Sequence, residues 1–103
     1  MERVHSFQEF LERSKGFPAL LFVKEKNCPY CKAAEEVLGG AFYPDSENLR
    51  LFEALIDDSP RLTVDLGLTG VPAFVLKNSK GRIKIKVGLC KAIELQEFIA
   101  GAL

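Results

Sequence analysis

The sequence predicts an α/β fold in which a mixed four-stranded sheet is covered by helices on both faces. Residues 20–23 (LLFV) form a continuous apolar run, as expected for a strand that is buried on both sides. Helical and strand-like segments alternate over the first two thirds of the chain, which is typical of parallel strand–helix–strand units. Residues 82–87 then alternate basic and apolar side chains directly after a turn at 78–81, which indicates a final antiparallel hairpin.

The N-terminal helix is predicted from its first turn. Ser6 and Glu9 have the spacing of a capping box, in which the serine hydroxyl and the glutamate carboxylate accept backbone N–H groups at the helix start. Gly16 ends the helix and Pro18 prevents its continuation. The buried strand at 20–23 follows directly.

A second helix begins at the cysteine pair Cys28 and Cys31. Helical spacing places Cys31 on one apolar face, so Cys31 is predicted to be the inner cysteine and Cys28 the exposed one. The glycine pair at 39–40 marks the end of this helix, and residues 41–48 are predicted to form a loop. The apolar face of the helix comprises Cys31, Ala34, Val37 and Leu38.

The middle of the chain predicts a strand, a short helix and another strand. Residues 49–57 are the second strand. Ser59 is predicted to cap a short helix with Pro60 at its first position, where the missing N–H costs little. This helix should end near Gly67, and residues 73–76 form a third, buried strand.

The C-terminal part predicts an edge strand and a last helix. The lysines and arginine within 82–87 should face water and hinder pairing with other chains. Gly88 ends this strand. The final helix carries one apolar stripe at helical spacing, formed by Leu95, Phe98, Ile99 and Ala102.

Length and charge exclude several classes of protein. We expect residues 1–103 to form a single domain, which is long enough to bury a core without disulfide bonds. With 14 acidic and 14 basic residues, the net charge predicts neither a nucleic-acid nor a membrane partner. No segment has the length of a transmembrane helix, and the N-terminus lacks the apolar core of a signal peptide. A cytoplasmic location is therefore expected.

The C-x-x-C pair after a strand predicts thiol redox chemistry. Two cysteines one helical turn apart can form and break a disulfide without a large backbone movement. The partial positive charge of the helix N-terminus favours a thiolate at Cys28. A structural disulfide is one alternative, and a zinc half-site is another. Zinc would need further ligands, and only Cys90 and His5 are available, without ligand spacing between them.

Three landmarks along nearly the whole chain resemble those of the thioredoxin-like superfamily. They are the Cys-Pro-Tyr-Cys motif at 28–31, the segment LGLTGVPA at 66–73, which is similar to the thioredoxin segment leading into a cis-proline, and the KVG segment at 86–88 before the last helix. Their separations are close to those in thioredoxins. The resemblance implies a thioredoxin-like fold, with a four-stranded sheet or with a short extra N-terminal strand, and a thiol–disulfide oxidoreductase.

Within the superfamily, some of these features resemble glutaredoxins and others resemble thioredoxins. Cys-Pro-Tyr-Cys is the motif of dithiol glutaredoxins, and Asn27 stands where most thioredoxins carry a tryptophan. Phe22 occupies the position of the buried thioredoxin aspartate beneath the inner cysteine. Yet Gly70 precedes Val-Pro where glutaredoxins usually have threonine, and residues 87–91 lack their Gly-Gly-acidic sequence. The resemblance thus implies a thioredoxin-like body with a glutaredoxin-type active-site loop.

The resemblance also implies roles for the cysteines. Cys28 attacks a substrate disulfide as a thiolate, and Cys31 resolves the mixed disulfide. Lys26 and Lys32 could add to the stabilisation of the thiolate. Cys90 is interpreted as a buried or capping residue, with regulation by oxidation as the alternative.

Substrate-binding residues are implied on both sides of the cysteines. Pro29 and Tyr30 shape the loop between them, and the backbone of Val71, before cis Pro72, pairs with the substrate like an added strand. No resident cofactor or metal is predicted, although glutathione could serve as co-substrate. We expect a monomer that acts on protein disulfides or glutathione mixed disulfides and is recycled by a thioredoxin reductase or by glutathione. A glutathione-dependent glutaredoxin, a redox sensor and an iron–sulfur carrier are the alternatives.

Overall fold

The computed structural model describes residues 1–40 and 49–102, and it confirms the predicted α/β class. The loop predicted at 41–48 lies outside these residues. Within them, no helix combines the length and apolarity needed to cross a membrane. The described elements, in chain order, are β1 (Glu2–Arg3), α1 (Phe7–Arg13), β2 (Ala19–Lys24), α2 (Pro29–Gly40), β3 (Arg50–Leu55), α3 (Arg61–Leu66), β4 (Ala73–Lys77), β5 (Ile83–Val87) and α4 (Ala92–Ala102).

The sheet has five strands in the order β1-β3-β2-β4-β5. β1 is the short extra N-terminal strand, and it pairs in parallel with β3, which is also parallel to β2. β4 and β5 run antiparallel and form the predicted hairpin. β5 is an edge strand, as predicted, but its apolar side chains Ile85 and Val87 are more than a third exposed, so its alternation does not produce a fully buried face.

Helices cover both faces of the sheet. One face packs against α1 and α3 through Phe10, Leu62 and Leu66. The opposite face packs against α2 and α4. Both sides of β2 are buried, which explains its continuous apolar sequence. The core on the second face consists of Leu20, Phe22, Ala34, Leu38, Phe74, Leu76, Leu95 and Ile99.

The helix ends confirm one predicted cap and correct another. The Ser6 hydroxyl accepts the Glu9 N–H at 2.9 Å, as predicted, while the Glu9 carboxylate accepts the N–H of His5. The prediction that Ser59 caps α3 is wrong. Its hydroxyl donates to the His5 carbonyl at 2.5 Å, and Pro60 occupies the cap position without a side-chain hydrogen bond. The Ser59 hydroxyl therefore makes a tertiary hydrogen bond and does not cap the helix that follows it.

A buried lysine closes the end of α1. Lys77 is 4% exposed, and its Nζ donates to the carbonyl oxygens of Ser14 at 3.0 Å and Phe17 at 2.8 Å. The last carbonyls of a helix lack intrahelical partners, and a cation there also complements the helix dipole. Lys77 thus connects β4 to the segment that leads into β2.

Candidate active site

The loop between β2 and α2 is held from the neighbouring strand. The Lys26 N–H donates to the Asp57 carboxylate at 2.9 Å, and Asp57 lies just beyond the end of β3. Asn27 has a left-handed backbone with φ 56°, a conformation that asparagine tolerates better than most residues. No sequence pattern predicted this role of Asp57. The signal that could have found it is its place after the strand parallel to β2, since parallel strands end at the same edge of a sheet.

Cys28 and Cys31 form a disulfide at the N-terminus of α2, with their Cα atoms 5.2 Å apart. Cys28 immediately precedes Pro29, the first helical residue, so the predicted helix start is confirmed. The Cys31 N–H donates to the Cys28 sulfur at 3.2 Å, and the Lys32 N–H donates to the Cys28 carbonyl at 3.1 Å. The sulfur of Cys28 therefore occupies the place of an N-cap acceptor, where the helix N-terminus favours negative charge.

The two cysteines differ in burial, as predicted. Cys28 is half-buried, whereas Cys31 is 3% exposed on the face of α2 that also buries Ala34 and Leu38. An external disulfide can reach Cys28 more easily than Cys31. The arrangement suits attack by the outer sulfur and a second, internal step by the inner one.

The Val71–Pro72 peptide bond is cis, in agreement with the expectation from the resemblance. Pro72 is buried, and its carbonyl accepts the Gly88 N–H at 2.7 Å. The next residue, Ala73, pairs with Val23 near the end of β2, so Pro72 lies at the edge of the sheet from which the cysteine loop leaves. In the parts of the chain that the structure describes, no hydrogen bond involves the Val71 backbone. Its role in substrate binding stays a prediction.

The remaining predicted site residues lie on the surface around the cysteines. Tyr30 is 67% exposed, and Pro29 is exposed beside it. Lys26 and Lys32 are exposed and line a cleft that also contains both cysteines. Their contribution to the stability of the Cys28 thiolate stays a prediction.

A charged cluster that the sequence did not predict lies beside the cysteines. Lys24 Nζ lies 2.7 Å from Glu53 Oε2 and 3.1 Å from Glu35 Oε1, and Arg3 Nη2 lies 3.3 Å from the same Glu53 oxygen. Lys24 and Glu35 line the cleft together with Cys28 and Cys31. A lysine at the end of an otherwise apolar strand was the available signal, because a buried cation requires partners.

Burial and pairing act in opposite directions on this cluster. Burial alone would lower the pKa of Lys24, but its hydrogen bonds and charge interactions with Glu53 and Glu35 outweigh burial and raise the pKa. Burial alone would raise the pKa of Glu53, but Lys24 and Arg3 outweigh it and hold that pKa below its ordinary value. Lys24 therefore stays protonated and Glu53 ionised at neutral pH.

Phe22 is a buried aromatic residue of β2 that packs against α2. Its side chain is 0% exposed, its ring is stacked on Phe74 with centroids 5.4 Å apart, and it shares a core with Ala34 and Leu38 of α2. Lys24 Nζ lies 5.9 Å from the ring centroid. No carboxylate is available at this position of β2.

Cys90 lies away from the pair, in a groove between α2 and the start of α4 that Val37 and Glu94 also line. Burial and the nearby Glu94 carboxylate raise the pKa of the Cys90 thiol, and the opposing charge of Lys86 does not cancel them. A thiol with a raised pKa is a poor nucleophile near neutral pH. This environment fits the interpretation of Cys90 as a partly buried structural residue.

Neither a protein-family model nor a curated protein matches the sequence. Solved structures do. Mitochondrial thioredoxin 3 of Saccharomyces cerevisiae aligns with a TM-score of 0.83 at 19% identity, over 98% of this chain and 94% of its own. Fasciola hepatica thioredoxin aligns with a TM-score of 0.79 at 16% identity over 100% of both chains. Malassezia sympodialis thioredoxin aligns with a TM-score of 0.78 at 18% identity, over 98% of this chain and 89% of its own. At such identities structural likeness establishes the fold alone, and the chain therefore has the thioredoxin-like fold that its three sequence landmarks predict.

Proposed function

We propose that the protein is a thiol–disulfide oxidoreductase that reduces protein disulfides through Cys28 and Cys31. The observation that carries the proposal is the position of the Cys28 sulfur. It accepts the Cys31 N–H at 3.2 Å at the N-terminus of a helix, and it is the more accessible sulfur of a disulfide pair. These are the conditions that stabilise a reactive thiolate. A purely structural disulfide has no need of this electrostatic environment.

The reduced protein would act in two steps. The Cys28 thiolate attacks one sulfur of the substrate disulfide, forms a mixed disulfide and releases the other substrate sulfur as a thiolate. Cys31 then attacks the Cys28 sulfur, which restores the Cys28–Cys31 disulfide and releases the second substrate thiolate. Two electrons pass to the substrate in each cycle. An external reductant must return them to the protein.

Substrate binding would involve the surface between the cysteine loop and the cis-proline segment. Tyr30 and Pro29 are exposed on one side of Cys28. The Val71 backbone has no hydrogen bond within the described chain, so its N–H and C=O are available to an extended peptide. A peptide held in this way would place its disulfide against the outer sulfur.

Two reductants are compatible with the site. A flavoprotein thioredoxin reductase is supported by the similarity to thioredoxins, whereas the Cys-Pro-Tyr-Cys loop supports glutathione, as co-substrate and reductant of a glutaredoxin-type cycle. Reduction of the oxidised protein by glutathione and by a thioredoxin reductase with NADPH, measured side by side, would distinguish them. The iron–sulfur alternative predicts visible absorption of the protein as isolated. Location in the cytoplasm and a monomeric state stay predictions.

The proposed activity is tested by insulin reduction with a dithiol as electron source. The wild type should accelerate reduction, Cys28→Ser should abolish the acceleration, and Cys31→Ser should accumulate mixed disulfides with insulin. Cys90→Ser is the matched control and should keep full activity. Wild-type protein that does not accelerate the reaction, or a fully active Cys28→Ser variant, would contradict the proposal.

A further inference from the structure

The inner thiol has to lose its proton during the second step of the proposed function. Cys31 is 3% exposed, so water reaches it poorly, and desolvation disfavours the thiolate form of a cysteine. Phe22, which packs with Ala34 and Leu38 of the same helix, cannot accept a proton. The acceptor must therefore come from the cleft that both cysteines line.

Within the part of the chain that the structure describes, the charged groups of this cleft come from four segments. α2 contributes Glu35 and Lys32, β2 contributes Lys24, the loop between them contributes Glu25 and Lys26, and β1 contributes Arg3. The three lysines and the arginine are cations at neutral pH and cannot accept a proton. Among the described residues that line the cleft, two carboxylates remain, on Glu35 and Glu25.

We propose that Glu35 accepts the proton of Cys31 during resolution and that Lys24 positions it. Glu35 follows Cys31 by four residues on α2, and residues with this spacing are neighbours on one helix face. Glu35 Oε1 is held at 3.1 Å by Lys24 Nζ, which lines the same cleft. Glu25, in contrast, is an exposed residue of the loop and makes no ion pair in the described part of the chain.

Glu53 is the second carboxylate that holds Lys24 in place. Its carboxylate holds Lys24 Nζ at 2.7 Å and is also paired with Arg3, so a second carboxylate besides that of Glu35 fixes Lys24. Glu53 is not among the described residues that line the cleft of the two cysteines, whereas Glu35 is. Glu53 therefore contributes by orienting Lys24, and Glu35 is the group left to exchange a proton.

The resulting step is balanced. In the mixed disulfide, the Cys31 thiol transfers its proton to the Glu35 carboxylate and its sulfur attacks the Cys28 sulfur. The Cys28–Cys31 bond forms as the bond from Cys28 to the substrate sulfur breaks. The substrate sulfur leaves with the electron pair and takes up a proton from Glu35 or from water. The two cysteines are oxidised and the substrate disulfide is reduced.

The test separates attack from resolution in one experiment. Reduced protein carrying Cys90→Ser is mixed in a stopped-flow instrument with equimolar dithiobis(nitrobenzoate), whose coloured thiolate is released once by attack of Cys28 and once by attack of Cys31. Glu35→Gln should leave the first phase unchanged and slow the second by about 10²-fold near neutral pH, the lower end of typical general-base effects. In Glu35→Gln the rate of the second phase should then rise steadily with pH, whereas in the wild type that rate should depend less on pH.

Control variants make the outcome specific. Glu36→Gln removes the adjacent carboxylate, which lines the groove of Cys90, and Glu25→Gln removes the second carboxylate among the described residues of the cleft. Both should leave the two phases unchanged, and Glu35→Asp should recover part of the second. If Glu35 acted only as a negative charge, Glu35→Gln would favour the Cys31 thiolate and accelerate resolution. An unchanged or faster second phase in Glu35→Gln, or a slow one in Glu25→Gln, would overturn this inference.

A failure of the proposed function has a different signature. This inference rests on that function, which requires the first phase to depend on Cys28. If Cys28→Ser retained both phases, the proposed oxidoreductase mechanism would fail as a whole. If the first phase behaved as expected and only the Glu35 variants did not, the mechanism would stand and the proton acceptor would be another group.

Discussion

Replacing Phe22 with aspartate tests how apolar the core between β2 and α2 is. The side chain is fully buried and stacked on Phe74, so losing the ring should cost about 3–5 kcal/mol of unfolding free energy, the range for truncating a buried phenylalanine. A fully buried carboxyl also has its pKa raised by about 3–5 units, which at about 1.4 kcal/mol per unit costs about 4–7 kcal/mol when it ionises. The second cost depends on pH, and the first does not.

Attraction to the Lys24 ammonium group reduces the free-energy cost of ionising the introduced carboxyl. Lys24 Nζ lies 5.9 Å from the centre of the Phe22 ring, and at an effective dielectric constant of about 20 a charge pair at that distance gains at most about 3 kcal/mol. Because Glu35 and Glu53 already share this ammonium group, the real gain is smaller. The net cost of ionising the introduced aspartate is then about 1–4 kcal/mol or somewhat more.

The sign of the pH dependence follows from proton linkage. The folded-state pKa of the introduced carboxyl lies above its unfolded value, so the folded state binds more protons between the two values. The unfolding free energy of Phe22→Asp should therefore fall as the pH rises from about 4 to the folded-state pKa, and stay level above it.

Urea unfolding at several pH values measures this effect. Phe22→Asn loses the same ring without adding an acid, so the difference between the Asp and Asn variants isolates the ionisation. The difference should widen with pH. A constant difference between about pH 4 and pH 8 would refute the reasoning, because it would mean that the carboxyl ionises there as easily as in the unfolded chain.

Three further predictions concern the cysteines and the core. Alkylation of the reduced protein near neutral pH should label Cys28 before Cys31 and Cys90, and mass spectrometry of the digested protein would show a different order if the site is misassigned. The Cys-Pro-Tyr-Cys loop and Phe22 predict a reduction potential of about −200 to −230 mV in a glutathione buffer, and a value at or below about −270 mV would contradict that expectation. Lys77→Met removes two hydrogen bonds from a buried ammonium group, so denaturant unfolding should show a loss of about 2–4 kcal/mol, against little change for the exposed Lys80→Met. An equal effect of the two lysine variants would show that the buried bonds do not stabilise the fold.

The sequence by itself determined the architecture and the reactive pair. The apolar run at 20–23 predicted a strand buried on both faces, and the Ser6–Glu9 spacing predicted the start of the first helix. Both patterns could be recognised because they depend only on residues close together in the chain. The C-x-x-C motif likewise placed Cys28 at a helix start and Cys31 on the inner face, since helical periodicity alone separates the two.

Only the tertiary structure decided which distant groups meet. Ser59 has the local sequence of a helix cap, yet its hydroxyl donates a hydrogen bond to the carbonyl of His5, 54 positions away. Lys24 ends a strand in the sequence, and the parallel pairing of β2 with β3 and the packing of α2 bring Glu53 and Glu35 to its ammonium group. Periodicity records which side of an element is apolar, but it carries no information about the partner across the sheet. The ion pairs of Lys24 with Glu53 and Glu35 depend on which elements pack together, so they are visible only in the folded chain.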